Sequence, residues 1–144
     1  MHPFPHRYAV DALATPGSSV TVRSPDLEDI QSTAPPEFGG PEGNWSPETL
    51  FVAAVADCYV LSFRAVANAS RFDWSEIDCE AVGVLDRTDE GLWFTHIELQ
   101  VKLRIPAGGD AGLGTRLLEK AERNCLVSKS LRSETLLRSE VVVG

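Results

Sequence analysis

Trp45-Ser46-Pro47-Glu48-Thr49-Leu50-Phe51-Val52-Ala53-Ala54-Val55-Ala56-Asp57-Cys58-Tyr59-Val60-Leu61-Ser62-Phe63 is the stretch on which the fold turns. Ser46 can accept a bond from a free amide of a first helical turn, Pro47 suits the first helical position, and Glu48 complements the positive end of the dipole. A helix is therefore predicted from Pro47 to about Ala69. Its side chains are apolar nearly all round, and a helix without a wide polar face is buried on most sides. The apolar run from Leu50 to Phe63 contains Asp57 and stops at Arg64, short of the ~20 residues that cross a bilayer. It reads as the central helix of a globular fold.

On the C-terminal side, Ile77, Cys79, Ala81, Gly83 and Leu85 alternate with mostly polar residues, and so do Ile97, Leu99, Val101, Leu103 and Ile105. Period-two alternation on both flanks of Arg87-Thr88-Asp89-Glu90-Gly91 predicts an antiparallel hairpin with one dry face. Pro106-Ala107-Gly108-Gly109 ends it. Asp110 can cap a second helix whose Leu113, Leu117, Ala121 and Cys125 recur every four residues, with a continuation expected through Val127 to Leu131. Thr135 to Val143 reads as a last strand. On the N-terminal side, Tyr8–Leu13 and Val20–Arg23 read as short strands around Thr15-Pro16-Gly17-Ser18. Ser24 to Asn44, rich in proline and glycine, reads as a long loop. The order ββ-loop-α-ββ-α-β, with strands in runs, is an α+β pattern, expected as a single domain over residues 1–144.

The 144 residues carry a net charge of −8, with 43% apolar and 24% charged side chains. That mix belongs to a globular chain with a core of its own, and its acidity disfavours phosphate backbones, so no nucleic-acid partner is expected. The opening Met1-His2-Pro3-Phe4-Pro5-His6 lacks the pattern of a secretory signal, and three cysteines cannot all pair within one chain. A soluble cytoplasmic setting, with no membrane partner, is the expectation.

Chemistry centres on those cysteines. Cys58 lies in the central helix and Cys125 on the apolar stripe of the second, 67 residues apart, which excludes a local C-x-x-C or zinc motif. Each alone reads first as a small core side chain, and Cys79, on the dry face of its strand, does so more strongly still. His2, His6 and His96 do not cluster, so no metal or other cofactor is expected. Neither a nucleophile elbow nor a phosphate-binding loop is present.

Residues Glu37 to Cys58, a glycine-rich loop leading into Ser46-Pro47-Glu48-Thr49-Leu50 and an alanine-rich helix with a cysteine, resemble the OsmC/Ohr family of hydroperoxide-reducing proteins. Ala121 to Leu131 resembles that family's C-P-V-S segment around a second cysteine, with Leu126 in place of the proline. The resemblance implies an intertwined homodimer, two long central helices wrapped by antiparallel sheets from both chains, with active sites at the interface. It implies Cys58 as the peroxidatic cysteine, Cys125 as the resolving one, and Glu48 as the glutamate holding a catalytic arginine. An organic hydroperoxide as substrate and an external dithiol as reductant follow from the same resemblance. Phe38, Trp45, Phe51 and Tyr59 are candidate walls of an apolar pocket, and equally candidates for plain packing.

A thiolate, not a thiol, attacks a peroxide, and burial disfavours the thiolate, so a cation near Cys58 is required. Members of the hydroperoxide-resistance branch carry that arginine in the first hairpin turn. Here the turn reads Thr15-Pro16-Gly17-Ser18-Ser19, leaving Arg7 and Arg23 as flanking substitutes. Asp57, beside Cys58, cannot help, because neighbouring negative charges disfavour each other. Two rivals stand beside the peroxidase: a dimeric binding module for an apolar small molecule with structural or redox-sensing cysteines, and a thioester hydrolase using Glu48 or Asp57 as base.

Overall fold

The structure, a computed structural model, describes residues Met1–Gly144. The chain falls into two compact units, Met1–Leu50 and Phe51–Gly144.

The first unit holds a three-stranded antiparallel sheet, β1 (Asp11–Leu13), β2 (Val20–Arg23) and β3 (Ile30–Ser32), in that order. The loop expected from Ser24 to Asn44 is thus more ordered than its composition suggested: β3 pairs Val20 with Ser32 and Val22 with Ile30. A single 3-10 turn at Pro36–Phe38 follows. Ser32 bridges to Trp45, and the Thr33 amide donates to the Trp45 carbonyl at 2.9 Å, which ties the loop's end to its beginning.

Helix α1 (Pro47–Ala69) has the limits read from the sequence. The Ser46 hydroxyl accepts the Thr49 amide at 3.1 Å while the Thr49 hydroxyl accepts the Ser46 amide at 2.9 Å, a reciprocal cap that satisfies two orphan donors. In the single chain α1 is less buried than an all-round apolar helix implied. Val55, Tyr59, Phe63, Val66 and Ala67 are buried, while Ala54, Asp57, Leu61 and Ala65 are exposed. Only one stripe meets the core. By length and apolarity alone this helix could cross a membrane, but that stripe is part of the folded unit's interior.

The second unit is built on β4 (Glu76–Thr88), β5 (Gly91–Ile105) and β6 (Glu134–Val143), in the order β4-β5-β6. β4 and β5 form the expected hairpin, longer and tighter than predicted, with Thr88 opposite Gly91. Gly91 sits at φ 104°, a conformation that favours glycine and closes the turn over only Asp89 and Glu90. The alternation holds along β5, where Ile97, Leu99, Val101, Leu103 and Ile105 are all buried. On β4 it breaks at a register shift between Val84 and Leu85, which turns Leu85 outward. β6 lies parallel to β5, so the sheet is mixed rather than wholly antiparallel. A parallel neighbour needs a crossover connection. α2 (Ala111–Asn124) and α3 (Leu126–Lys129) supply it, with Asp110 accepting the Leu113 amide at 3.0 Å as cap. Two helices replace the single one expected because Cys125, at φ −68° and ψ 107°, leaves helical geometry. The core joins the buried stripe of α1 to β5, Leu117, Leu118 and Ala121 of α2, and Cys125.

Candidate functional site

Two of the three expected site residues meet in the second unit. Cys58 lies one helical turn beyond Val55 on α1, half-buried against the core. Cys125 is 1% exposed, at the break between α2 and α3. Cys58 packs on the core that contains Cys125, near enough for its thiol to perturb the Cys125 thiol, and both are free. Burial pushes the Cys125 thiol above its ordinary range, and the neighbouring Cys58 pushes it the same way. The Ser128 hydroxyl and amide oppose both by favouring the thiolate. That same serine is 8% exposed, and with the thiol protonated its one hydroxyl proton goes to the Cys125 carbonyl at 3.2 Å. Ser128 lies in the stretch that resembles the C-P-V-S segment, and its place three residues after Cys125, across one short helical turn, is the sequence signal for this role.

Tyr59, next to Cys58, is fully buried, and its hydroxyl donates to the Leu118 carbonyl at 3.0 Å. The bond pins α1 to α2 beside the thiols. Burial raises its ionisation well above the ordinary phenol range, and nearby Cys79, Glu122 and Cys125 add to the effect, so it stays neutral. Cys79, on the inner face of β4 opposite Val101, packs on the same core. Its thiol is pushed up to about 11 by burial, then by Asp78 and Cys125. The alternation of β4 puts Cys79 on the dry face, but nothing in the sequence marks it as packing on the core that holds Cys125.

Of the other candidate wall residues, Phe51 stacks on Phe94 with centroids 4.7 Å apart. Together with Leu85, Leu92, Trp93 and Leu131 they line an open groove of about 400 Å³. Phe51, Val55 and Cys58 follow one another at helical spacing on one face, so the groove begins about 10 Å along the helix from the thiol. Arg132 caps its rim, 3.8 Å above the Trp93 ring and paired with Glu90. Asp57 is exposed and makes no ion pair or hydrogen bond, which answers how an apolar helix tolerates it.

In the first unit, Phe38 and Trp45 are 55% and 52% exposed. Glu48 is half-buried, and its Oε1 is sealed from solvent without a hydrogen-bond partner. Of the arginines considered for it, Arg23 is held by Asp11 at 2.6 Å on the surface, and Arg7 is exposed and unpaired. The histidines stay apart: His96 faces Glu98 at 3.3 Å, and His6 contacts the His2 carbonyl.

Comparison with known proteins places this arrangement. The family model described as OsmC-like protein matches residues 39–140. The chain is 33% identical over 100 residues to the peroxiredoxin OsmC of Escherichia coli (strain K12), spanning 69% of this chain and 68% of that protein. An OsmC-like protein of unknown function from Vibrio cholerae superposes with a TM-score of 0.85 at 20% identity, over 94% of this chain and all of that one. An organic hydroperoxide resistance protein OsmC from Legionella pneumophila does so with a TM-score of 0.71 at 26% identity, over 96% and 100%. The matched span runs from the glycine-rich loop through the helix of Cys58 to the strand beyond Cys125, and on that ground the chain belongs to the OsmC family.

Proposed function

We propose that the protein is a thiol-dependent peroxidase that reduces organic hydroperoxides, with Cys58 as the attacking thiol and Cys125 as its resolving partner. The observation that carries this reading is the meeting of two free thiols, 67 residues apart in sequence, inside one apolar core. In the first step the Cys58 thiolate attacks the distal peroxide oxygen. The O–O bond breaks, the alcohol leaves with a proton, and Cys58 becomes a sulfenic acid. The Cys125 thiolate, favoured by Ser128, then attacks the Cys58 sulfur and expels hydroxide as water, closing a disulfide. An external dithiol returns both to thiols.

The groove lined by Phe51, Phe94 and Trp93 supports a substrate with an apolar body, since hydrogen peroxide gains nothing from such walls. Glu48 takes the role its motif position carries in the family, holding the cation that activates the thiolate. A sealed carboxylate oxygen without a donor is costly, and a guanidinium would satisfy it. The working form is a dimer of two copies in the cytoplasm. The apolar side chains that α1 leaves exposed, Leu61 at 51% among them, support a second copy as their cover.

The test is consumption of cumene hydroperoxide and of hydrogen peroxide with excess dithiothreitol, for the wild type and Cys58→Ser. Faster turnover of the organic peroxide, abolished by the substitution, is expected. A fully reduced wild type that consumes neither peroxide overturns the reading.

One observation favours a second reading, a binding module for an apolar small molecule: no arginine occupies the turn Thr15–Ser19, and Arg23 is engaged by Asp11. On that reading Cys58→Ser leaves ligand binding intact, and peroxide drives no Cys58–Cys125 disulfide.

A further inference from the structure

Of the three charged residues on α1, Glu48 belongs to the first turn; the other two, Asp57 and Arg64, stand on the side that the helix turns away from the core. Both are exposed, and neither forms an ion pair within the chain. No charged residue lies three or four positions from either, so the helix itself offers them no partner. Seven residues separate them, close to two full turns, which sets both on one line about 10.5 Å apart. Between them lies Leu61, 51% exposed, and the small side chains of Ala54 and Ala65 on the same face are exposed as well. The stripe is thus apolar at its middle, with small side chains that allow close approach and one charge of each sign at equal distances from Val60–Leu61. A stripe of this kind is complementary to itself in one direction only. A second copy laid along it in the same direction sets Asp57 on Asp57 and Arg64 on Arg64. Turned end for end about a two-fold axis beside Leu61, it sets each Asp57 against Arg64 of the other copy, with the two Leu61 side chains between the pairs.

We propose that the exposed stripe of α1 packs antiparallel against the same stripe of a second copy, with Asp57 of each copy paired to Arg64 of the other; the proposal rests on the dimer stated above and fixes the face and the direction in which its helices meet. Packed helices lie about 8–10 Å apart, a gap that an aspartate and an arginine on facing stripes bridge. Leu61 keeps water from the ground between the two pairs, which strengthens both. Asp57, the carboxylate that interrupts the apolar run, is then the group that sets the direction of pairing. The seam is one part of a larger contact, since a stable interface hides about 800 Å² on each copy. The first unit has apolar surface to add: it buries none of its large apolar side chains, and Phe4, Tyr8, Leu13, Leu27 and Trp45 are each more than half exposed.

Sedimentation equilibrium of the wild type, Asp57→Arg, Arg64→Asp and an equimolar mixture of the two variants tests the pairing, with circular dichroism as the check that each is folded. A homodimer of either variant contains two like-charge contacts, so each should associate about tenfold or more weakly than the wild type. In the mixed dimer every reversed charge meets its opposite. The mixture should therefore recover wild-type association, as one-to-one heterodimers counted by native mass spectrometry. A second measurement does not depend on the reversals folding. Arg64→Lys, treated with a zero-length carbodiimide, should give a covalent dimer joined between Asp57 of one copy and position 64 of the other, a bond that two full helical turns forbid within one chain. Reversals that leave association within about twofold of the wild type, a mixture as weak as its components, or a carbodiimide product without that linkage each overturn the antiparallel seam and leave the dimer standing. A wild type that sediments as a monomer at the concentrations of the peroxide assay overturns the seam and the dimer together.

Discussion

Gly83 sits on β4 opposite Ile97, with Val52 of α1 packed close above it. A methyl group there would lie 2.5 Å from Cγ2 of Val52 and 3.1 and 3.2 Å from two carbons of the Phe94 ring. Carbon atoms rest about 3.5–4.0 Å apart, so something must retreat by about 1 Å or more. Neither neighbour yields readily. Val52 is β-branched and held to one rotamer in a helix, and Phe94 is stacked on Phe51. The helix itself has to move. Overpacking of this kind costs about 1–3 kcal/mol, which for a chain of this size lowers Tm by roughly 2–12 °C. Urea unfolding of Gly83→Ala, followed by circular dichroism at fixed protein concentration, should show a lower midpoint with an unchanged slope. Val52→Ala placed on the Gly83→Ala background should recover about 1 kcal/mol or more, because the two substitutions share one volume. If Gly83→Ala stays within about 0.5 kcal/mol of the wild type, or if the two substitutions simply add, the contact does not set the helix–sheet distance.

The remaining expectations are smaller or more local. Tyr59→Phe removes the bond to the Leu118 carbonyl and should cost about 0.5–1.5 kcal/mol in the same unfolding assay, with the core otherwise intact. Asp110→Ala takes away the cap of α2 and should cost about 0.5–2 kcal/mol, with Asp110→Asn recovering most of it. The Cys79 thiol is raised from its usual 9.0 to about 11, so the folded state keeps its proton where the unfolded chain loses it. Stability should therefore be intact below about pH 9 and fall between pH 9 and 11, and the fall should be shallower in Cys79→Ala, measured by chemical unfolding across that range. Ser128→Ala removes a group that favours the Cys125 thiolate; it should slow closure of the disulfide at neutral pH while leaving sulfenic acid formation at Cys58 unchanged, both followed by stopped-flow with dimedone trapping.

Much of this architecture is legible in the chain because it rests on local chemistry. Ser46-Pro47 can start a helix in only one place, and the alternation from Ile97 to Ile105 survives intact because that strand is central, with a neighbour on each side. The recurrence of Leu113, Leu117, Ala121 and Cys125 put the second cysteine on the core side, where it is found. What escaped the sequence depends on partners distant along the chain. β3 is three residues long and mostly exposed, so Ile30-Gln31-Ser32 carries no alternation, and only its register against β2 makes it a strand. The parallel setting of β6 is a decision of the crossover, not of Thr135 to Val143. The packing of Cys79 on the same core as Cys125 and the sealed oxygen of Glu48 are likewise products of tertiary placement, for which no residue type or spacing is a marker.

The separation of the two thiols along the chain has a consequence for the order in which they appear during synthesis. Cys58 leaves the ribosome 67 residues ahead of Cys125, an interval of about 3–13 s at ordinary translation rates. The crossover that carries Cys125 is closed only when residues 134–143 can lie down beside β5. If Cys58 and Cys125 work as proposed, the nascent chain has through that interval an early thiol with no partner to resolve it, so any sulfenic acid formed there can climb to the sulfinic state. Damage at Cys58 should therefore be heaviest on molecules oxidised while still being made. On the proposed two-cysteine cycle, finished molecules exposed to the same peroxide are protected by an intramolecular partner that the nascent ones do not yet have.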